Sequence, residues 1–319
     1  MKRRIAIFIL FLWMLPVSAW AADYLVPVGS LVGLQLRTDS ITVAAFDDAL
    51  GTAAREAGLK IGDRITAVNG TPAQSSEDMK AMLQNTDGPV QLSVTRGSRN
   101  LTLRLTPGQE DGQRVLGVYL RQGISGIGTV TWYDPETRQF AALGHGVSTG
   151  KEGLLRLVSG DIFPAEVYSV LKGAAGNPGL LKGQALSPIP IGTVSANTPQ
   201  GIFGSTAAGF SGSPVPVGDW DSLHTGPATI LATVAQGPPR EYSVEILKLY
   251  PKDRTTYRNF LLKVTDPELL NTTGGIVQGM SGSPILQDGK LIGAVTHVLV
   301  NDPTSGYGIF IENMLQAAG

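Results

Sequence analysis

The 319-residue sequence predicts a mainly β protein built from two units. Three observations carry this: runs in which apolar and polar residues alternate, such as "GPVQLSVTRGSRNLTLRLTP" and "GIGTVTWYD"; the 40 glycines and 20 prolines that punctuate such runs; and the scarcity of long helical periodicity. Alternation with a period of two is the pattern of a half-buried strand, whose successive side chains point to opposite faces. Many short strands separated by turns suggest a sandwich or barrel of antiparallel sheet. A chain of this length suits two domains, one short and one larger, each with its own core.

The N-terminus reads as an export signal over residues 1–21. Met1-Lys2-Arg3-Arg4 is basic, Ile5 to Leu15 is continuously apolar, and Ala19-Trp20-Ala21 offers the small residues a signal peptidase accepts, with the cut before Ala22. An uncleaved anchor is the alternative, but the apolar run is shorter than the roughly 20 residues that span a bilayer. The protein is therefore expected beyond the cytoplasmic membrane. Loss of Lys2, Arg3 and Arg4 leaves 22 basic against 26 acidic residues, a net charge of −4. Such a chain has no electrostatic footprint for nucleic acid. Cysteine is absent, which excludes disulfides, thiol catalysis and thiolate metal sites. Three histidines without an H-E-x-x-H spacing argue against zinc, so neither a metal nor another cofactor is expected.

Residues 22–107 form the first expected unit. In its hairpin Val90, Leu92 and Val94 alternate with polar neighbours, the chain turns at Gly97-Ser98, and Leu101, Leu103 and Leu105 alternate in return. Upstream, Ser75 and Asp78 resemble a capping box, and Met79, Met82 and Leu83 follow at helical spacing. "EAGLKIGDRITAVNG" brackets an apolar pair with Gly58 and Gly62 and ends a strand at the tight-turn dipeptide Asn69-Gly70. This stretch resembles a PDZ domain of the type attached to exported bacterial proteases, a β-sandwich with helices. The resemblance implies a loop whose backbone N–H groups receive a peptide C-terminus. "SLVGLQL" matches that loop, with Val32, Gly33 and Leu34 as the expected donors. A PDZ fold that serves as an internal brace and binds nothing is the alternative.

Residues 108–114, within the polar and turn-rich "TPGQEDGQR", read as a linker, and residues 115–319 as the second unit. Its main helix candidate is "AEVYSVLKG", residues 165–173. It also carries two similar serine loops, "GFSGSP" at 209–214 and "GMSGSP" at 279–284. Gly-x-Ser-Gly-Ser-Pro is in itself a good turn, since glycine reaches positive φ and proline ends strand pairing. A serine hydroxyl becomes a nucleophile only with a base in hydrogen-bond reach, itself usually fixed by a carboxylate. His145, in "AALGHGVS", is flanked by glycines that allow close approach. His224 sits in a polar loop, and His297 lies on the apolar strand "LIGAVTHVLV". Asp266 begins a turn after an apolar strand, and Asp253, Asp219, Asp221 and Asp302 compete with it; spacing does not choose among them.

"GHGV" around His145, the Thr265-Asp266 turn and "TGGIVQGMSGSPILQDGKLIGAVTHVLVNDPTSGYGIFIE" at 273–312 resemble the SpoIVB peptidase family. These are serine endopeptidases of sporulating bacteria, with the same order of signal segment, PDZ domain and peptidase domain. The resemblance implies a chymotrypsin-like double β-barrel and a triad of His145, Asp266 and Ser281, with Ser211 not the nucleophile. Backbone N–H groups of Gly279 and Ser281 would form the oxyanion hole. Asp266 departs from the chymotrypsin pattern, because it precedes Ser281 by 15 residues instead of lying in the first barrel.

The family pattern further implies a membrane-bound regulator of an intramembrane protease as substrate, on the way to sigma-factor activation in sporulation. It also implies self-cleavage, capture of peptide C-termini, including those of its own kind in self-association, and a place between forespore and mother-cell membranes. A catalytically inactive PDZ-bearing binding protein is the competing class.

Overall fold

The computed structural model describes residues 23–148 and 153–319. The export signal read over residues 1–21 lies outside the described residues. The architecture is mainly β: two six-stranded barrels, with a PDZ domain in the N-terminal half of the chain.

Two 16-residue strands, Leu31–Phe46 and Val118–Tyr133, organise the N-terminal half. They pair antiparallel along nearly their whole length, from Leu31 opposite Thr129 to Phe46 opposite Val118. Register shifts between Arg37 and Thr42 divide the ribbon in two. The part up to Arg37, with Gly123 onward in the partner, belongs to the first barrel. The part beyond Thr42, with Val118–Arg121, belongs to the PDZ domain.

That arrangement corrects the expected domain layout. Residues 24–37 are not part of the PDZ unit, because Leu31–Phe46 is flanked in the barrel by both Val118–Tyr133 and Leu157–Leu171. The PDZ domain is inserted between the first two long strands of the barrel. The linker expected at residues 108–114 is not one either: Gly108–Glu110 and Gln113–Val115 pair as a small hairpin that returns the chain to Val118.

Within the insertion the local predictions hold. Val90–Arg96 pairs with Arg99–Leu105 through the Gly97-Ser98 turn, and Val90, Leu92 and Val94 are buried. The helix Ser76–Gln84 starts where Ser75 Oγ accepts the Asp78 N–H at 2.9 Å, and it buries Met79 and Leu83, one turn apart. These side chains meet Ile41, Val43, Ile65 and Leu116 in a core of their own. Asp63 is fully buried and forks onto Arg96, with contacts of 2.6 and 2.7 Å. Burial alone would raise the Asp63 pKa, but the Arg96 guanidinium and the Lys60 N–H hold it below the ordinary carboxylate value.

The first barrel closes as Leu31–Phe46, Val118–Tyr133, Gln139–Ala142, Gly201–Ser205, Gly192–Thr198, Leu157–Leu171 and back to Leu31–Phe46. Leu34, Leu36, Val130, Phe140, Ile162 and Ile202 fill it. Burying a side chain of this size stabilises by about 2–3 kcal/mol. Trp132, Ala141 and Phe203, on the opposite faces of the same strands, join the core of the second barrel and so fasten the two together. The second barrel runs Gly226–Ala232, Arg240–Leu249, Phe260–Val264, Asp302–Phe310, Lys290–Leu299 and Pro284–Gln287. The C-terminal helix Ile311–Ala318 buries Ile311 and Met314 against it.

The expected helix at 165–173 is instead the end of the strand Leu157–Leu171, paired with Leu180–Ala185. Val167 and Val170, β-branched, suit the strand, and the hydrogen-bonding partner outweighs a weak helical spacing.

Candidate active site

Ser281 and His145 come from different barrels and open on one cavity of about 280 Å³, lined also by Leu34, Ile127, Leu143 and Gly279. The serine loop is pressed against the first barrel. The Thr129 N–H donates to the Ser281 carbonyl at 3.2 Å, and the Thr129 hydroxyl donates to the Gly279 carbonyl at 2.8 Å. Gly282 has φ +98°, and a Cβ there would stand 2.1 Å from the Thr129 carbonyl oxygen. Glycine is therefore required on both counts.

The loop's backbone is sorted in a way that suits an oxyanion. The N–H groups of Met280, Gly282 and Ser283 donate to the carbonyls of Val277, Val295 and Met280, whereas those of Gly279 and Ser281 have no acceptor among the described residues. Two uncommitted donors beside a serine hydroxyl are the kind of groups that a tetrahedral oxyanion requires. Ser281 Oγ itself donates to the Thr296 carbonyl at 2.7 Å. Ser283 is fully buried, so it cannot serve as the nucleophile.

His145 follows a strained turn. Leu143 has φ +72°, a left-handed value that costs a non-glycine residue about 1–3 kcal/mol and is characteristic of functional sites. His145 Nδ1 lies 3.0 Å from the Gly146 carbonyl. A carbonyl can only accept, so the contact fixes the proton on Nδ1 and leaves Nε2 basic. Burial lowers the His145 pKa, and the Gly146 hydrogen bond opposes this in part. Its loop is held by Asn197, which sequence reasoning missed. Asn197 Oδ1 accepts the Val147 N–H at 2.9 Å, and its Nδ2 donates to the carbonyls of Val147 and Leu155 at 2.9 and 2.8 Å.

His297 stacks beside His145 with ring centroids 5.1 Å apart. Its outer side meets solvent; burial of the inner side, the His145 charge and the Arg258 charge all lower its pKa.

Asp266 does not join this pair. It is the N-cap of the helix Pro267–Thr273: Oδ1 accepts the Leu269 N–H at 2.9 Å and Oδ2 the Ser243 N–H at 3.3 Å. Both oxygens are thus engaged by backbone, and neither reaches a histidine. Among the described residues no carboxylate hydrogen-bonds His145 or His297. Asp253, Asp219 and Asp302 bind within their own turns, to Thr256, Ser222 and Thr304, and Asp219 also to Lys290. His224 is exposed and pairs with Asp288 at 2.8 Å, and Ser211 is exposed on a loop whose Phe210 packs on Tyr133 and Phe140.

Val32, Gly33 and Leu34 are likewise not a peptide-binding loop. They sit inside the first barrel, opposite Gly128, Ile127 and Gly126 on one side and Pro164, Phe163 and Ile162 on the other. A strand paired on both edges has no N–H left for a peptide.

A PDZ domain model matches residues 49–96. A putative zinc metalloprotease of Lactococcus lactis is 38% identical over 69 residues, 21% of this chain; the chain spans 16% of that relative. The PDZ domain of an SdrC-like protein from Listeria monocytogenes is 21% identical over 26% of this chain and 87% of that one, with a TM-score of 0.23. The Rv3671c protease of M. tuberculosis H37Rv in its inactive form is 14% identical over 60% of this chain and 82% of that one, with a TM-score of 0.35. The SpoIVB peptidase S55 model matches residues 112–315, which contain both His145 and Ser281, and the chain belongs to that peptidase family.

Proposed function

We propose that the chain is an exported serine endopeptidase working through Ser281 and His145. The observation that carries this reading is their shared cavity beside the two uncommitted N–H groups of Gly279 and Ser281. The Ser281 hydroxyl leaves Thr296 by rotation about its Cα–Cβ bond, and His145 Nε2 takes its proton as Oγ attacks a peptide carbonyl. The oxyanion is held by the Gly279 and Ser281 N–H groups, each donor lowering the barrier by about 3 kcal/mol. His145 then gives the proton to the leaving amine, and water hydrolyses the acyl-enzyme with His145 again as base. The Gly146 carbonyl orients the imidazole, a task given to a carboxylate in Ser-His-Asp sites.

Membership of the family supports a membrane-bound protein substrate, one that restrains an intramembrane protease upstream of sporulation sigma-factor activation, together with self-cleavage. The basic and apolar N-terminal segment supports action on the outer side of the cytoplasmic membrane. The test is labelling with a fluorophosphonate. Ser281 should be modified in the wild type and the label should vanish in Ser281→Ala. An unreactive Ser281 would favour an inactive PDZ-bearing binding protein, a reading that draws on the serine's bond to Thr296.

A further inference from the structure

We infer that the cleft between the PDZ domain and the first barrel is a binding site for a polyvalent phosphate, and that its occupant braces the His145 loop; the second clause rests on His145 being the catalytic base. The cleft has a volume of about 890 Å³, and the charged residues lining it are Arg64, Arg121, Arg156 and a single acid, Asp39.

The sheet register brings the arginines together. Thr42 stands opposite Arg64 on one neighbouring strand and opposite Arg121 on the other. Side chains directly opposite in an antiparallel pair share a face, with Cβ atoms about 5 Å apart. Ile41, Val43 and Ile65 point into the PDZ core, so Thr42, Arg64 and Arg121 form a row on the reverse face, which is the floor of the cleft. Two guanidinium groups thus flank one hydroxyl, about 10 Å apart at their base. Neither forms an ion pair among the described residues.

Arg156 comes from the barrel side. Its contact with Asp39, at 3.3 Å, joins two exposed side chains, a weak kind of pair that a doubly charged ligand can displace. Like charges gathered in one concavity repel, and an oxyanion among them removes the repulsion. The forks select the ligand class. A planar guanidinium engages two oxygens at once, and a phosphate has oxygens for forks on different sides, whereas a carboxylate offers only two. Ser40 and Thr42 add hydroxyls at the floor, 3.5 Å from each other. The volume takes a diphosphate or a phosphate headgroup, not merely a single phosphate ion.

The site is tied to the catalytic loop. Arg156 adjoins Leu155, whose N–H donates to the Val147 carbonyl at 2.8 Å and whose carbonyl accepts from Asn197 Nδ2 at 2.8 Å. Val147 is two residues beyond His145. A ligand that joins Arg156 to Arg64 and Arg121 therefore fixes this segment against the PDZ domain and steadies the loop that carries the base.

The experiment titrates the chain from residue 22 onward with inorganic pyrophosphate, by calorimetry at fixed salt. One site should be seen, and Arg64→Gln and Arg121→Gln should each weaken it by roughly 10- to 100-fold, the worth of a hydrogen-bonded charge. Arg104→Gln, exposed on the PDZ hairpin outside the cleft, should stay within about twofold. Should one cleft variant not fold, the other decides. Phosphatidylglycerol vesicles separate the sources: cosedimentation that pyrophosphate displaces assigns a lipid headgroup, and pyrophosphate binding without cosedimentation assigns a soluble phosphate. Absence of both kinds of binding, equal losses in Arg64→Gln and Arg104→Gln, or tighter binding of an oligoglutamate peptide than of pyrophosphate would overturn the site. Bound pyrophosphate should also speed fluorophosphonate labelling of Ser281 severalfold, and an unchanged rate would overturn the bracing. A Ser281 that takes no label in either condition would overturn the peptidase reading and the bracing with it, while the calorimetry still decides the site.

Discussion

The Ser281 hydroxyl donates to the Thr296 carbonyl at 2.7 Å and makes no hydrogen bond to His145, although both line the same cavity. The Ser281 hydroxyl is thus held on the strand Lys290–Leu299 and, in the proposed mechanism, leaves it to meet His145. Catalytic hydrogen bonds commonly tighten only when substrate arrives. Ser281→Ala should reduce cleavage of a protein substrate by roughly 10⁴-fold or more. Ser211→Ala, on an exposed loop of the first barrel, should leave the rate within about twofold. Comparable losses in the two variants would contradict the assignment.

The second prediction concerns pH. A general base works in its neutral form, which is lost as pH falls through its pKa. Burial lowers the His145 pKa below the ordinary histidine value of 6.5, so the acid limb of kcat/KM should lie below pH 6.5. Beyond the effect of burial, positive charge on His145 also depresses the pKa of His297. In His145→Gln that charge is gone, and the His297 pKa measured by NMR should rise. An acid limb above pH 6.5 would mean that a carboxylate, not burial, governs His145.

What the sequence made legible was local. The hairpin at 90–105 and the capped helix at 76–84 depend on near neighbours, and Ser281 and His145 stand in motifs of a few residues. The insertion of one domain within another was hidden, because it rests on the pairing of residues 31–46 with 118–133, partners more than 70 residues apart whose alternation names no partner. For the same reason "AEVYSVLKG" lost to pairing with residues 180–185. Asp266 is different: Asp-Pro-Glu is a helix start, with an N-cap acid and proline at the first helical position, and that signal was present. Asn197 had none, since its partners Val147 and Leu155 are 50 and 42 residues away.

Asn197 is a positioning residue. It clamps Val147, two residues beyond His145, through both its amide groups. Asn197→Ala would leave the Val147 N–H and two carbonyls without partners, at about 1–3 kcal/mol for a buried group left unsatisfied. The His145 loop should loosen, so kcat should fall about 10- to 100-fold with KM nearly unchanged. A purely structural role would lower the melting temperature without that split.

Asp266 offers the clearest separation of two readings. As the third member of a triad its replacement by asparagine would cost roughly 10⁴-fold in kcat, because the base would hold the wrong tautomer. As an N-cap it can be replaced by asparagine almost freely, since asparagine caps nearly as well. Alanine should cost about 1 kcal/mol of stability, and more where the Ser243 N–H is also left unpaired. Asp266→Asn should therefore keep kcat within a few-fold of the wild type, and Asp266→Ala should lower the unfolding midpoint while retaining most activity. A 10⁴-fold loss in the asparagine variant, with unfolding unchanged, would put the carboxylate back beside His145 in the working enzyme and require the helix Pro267–Thr273 to move when substrate binds.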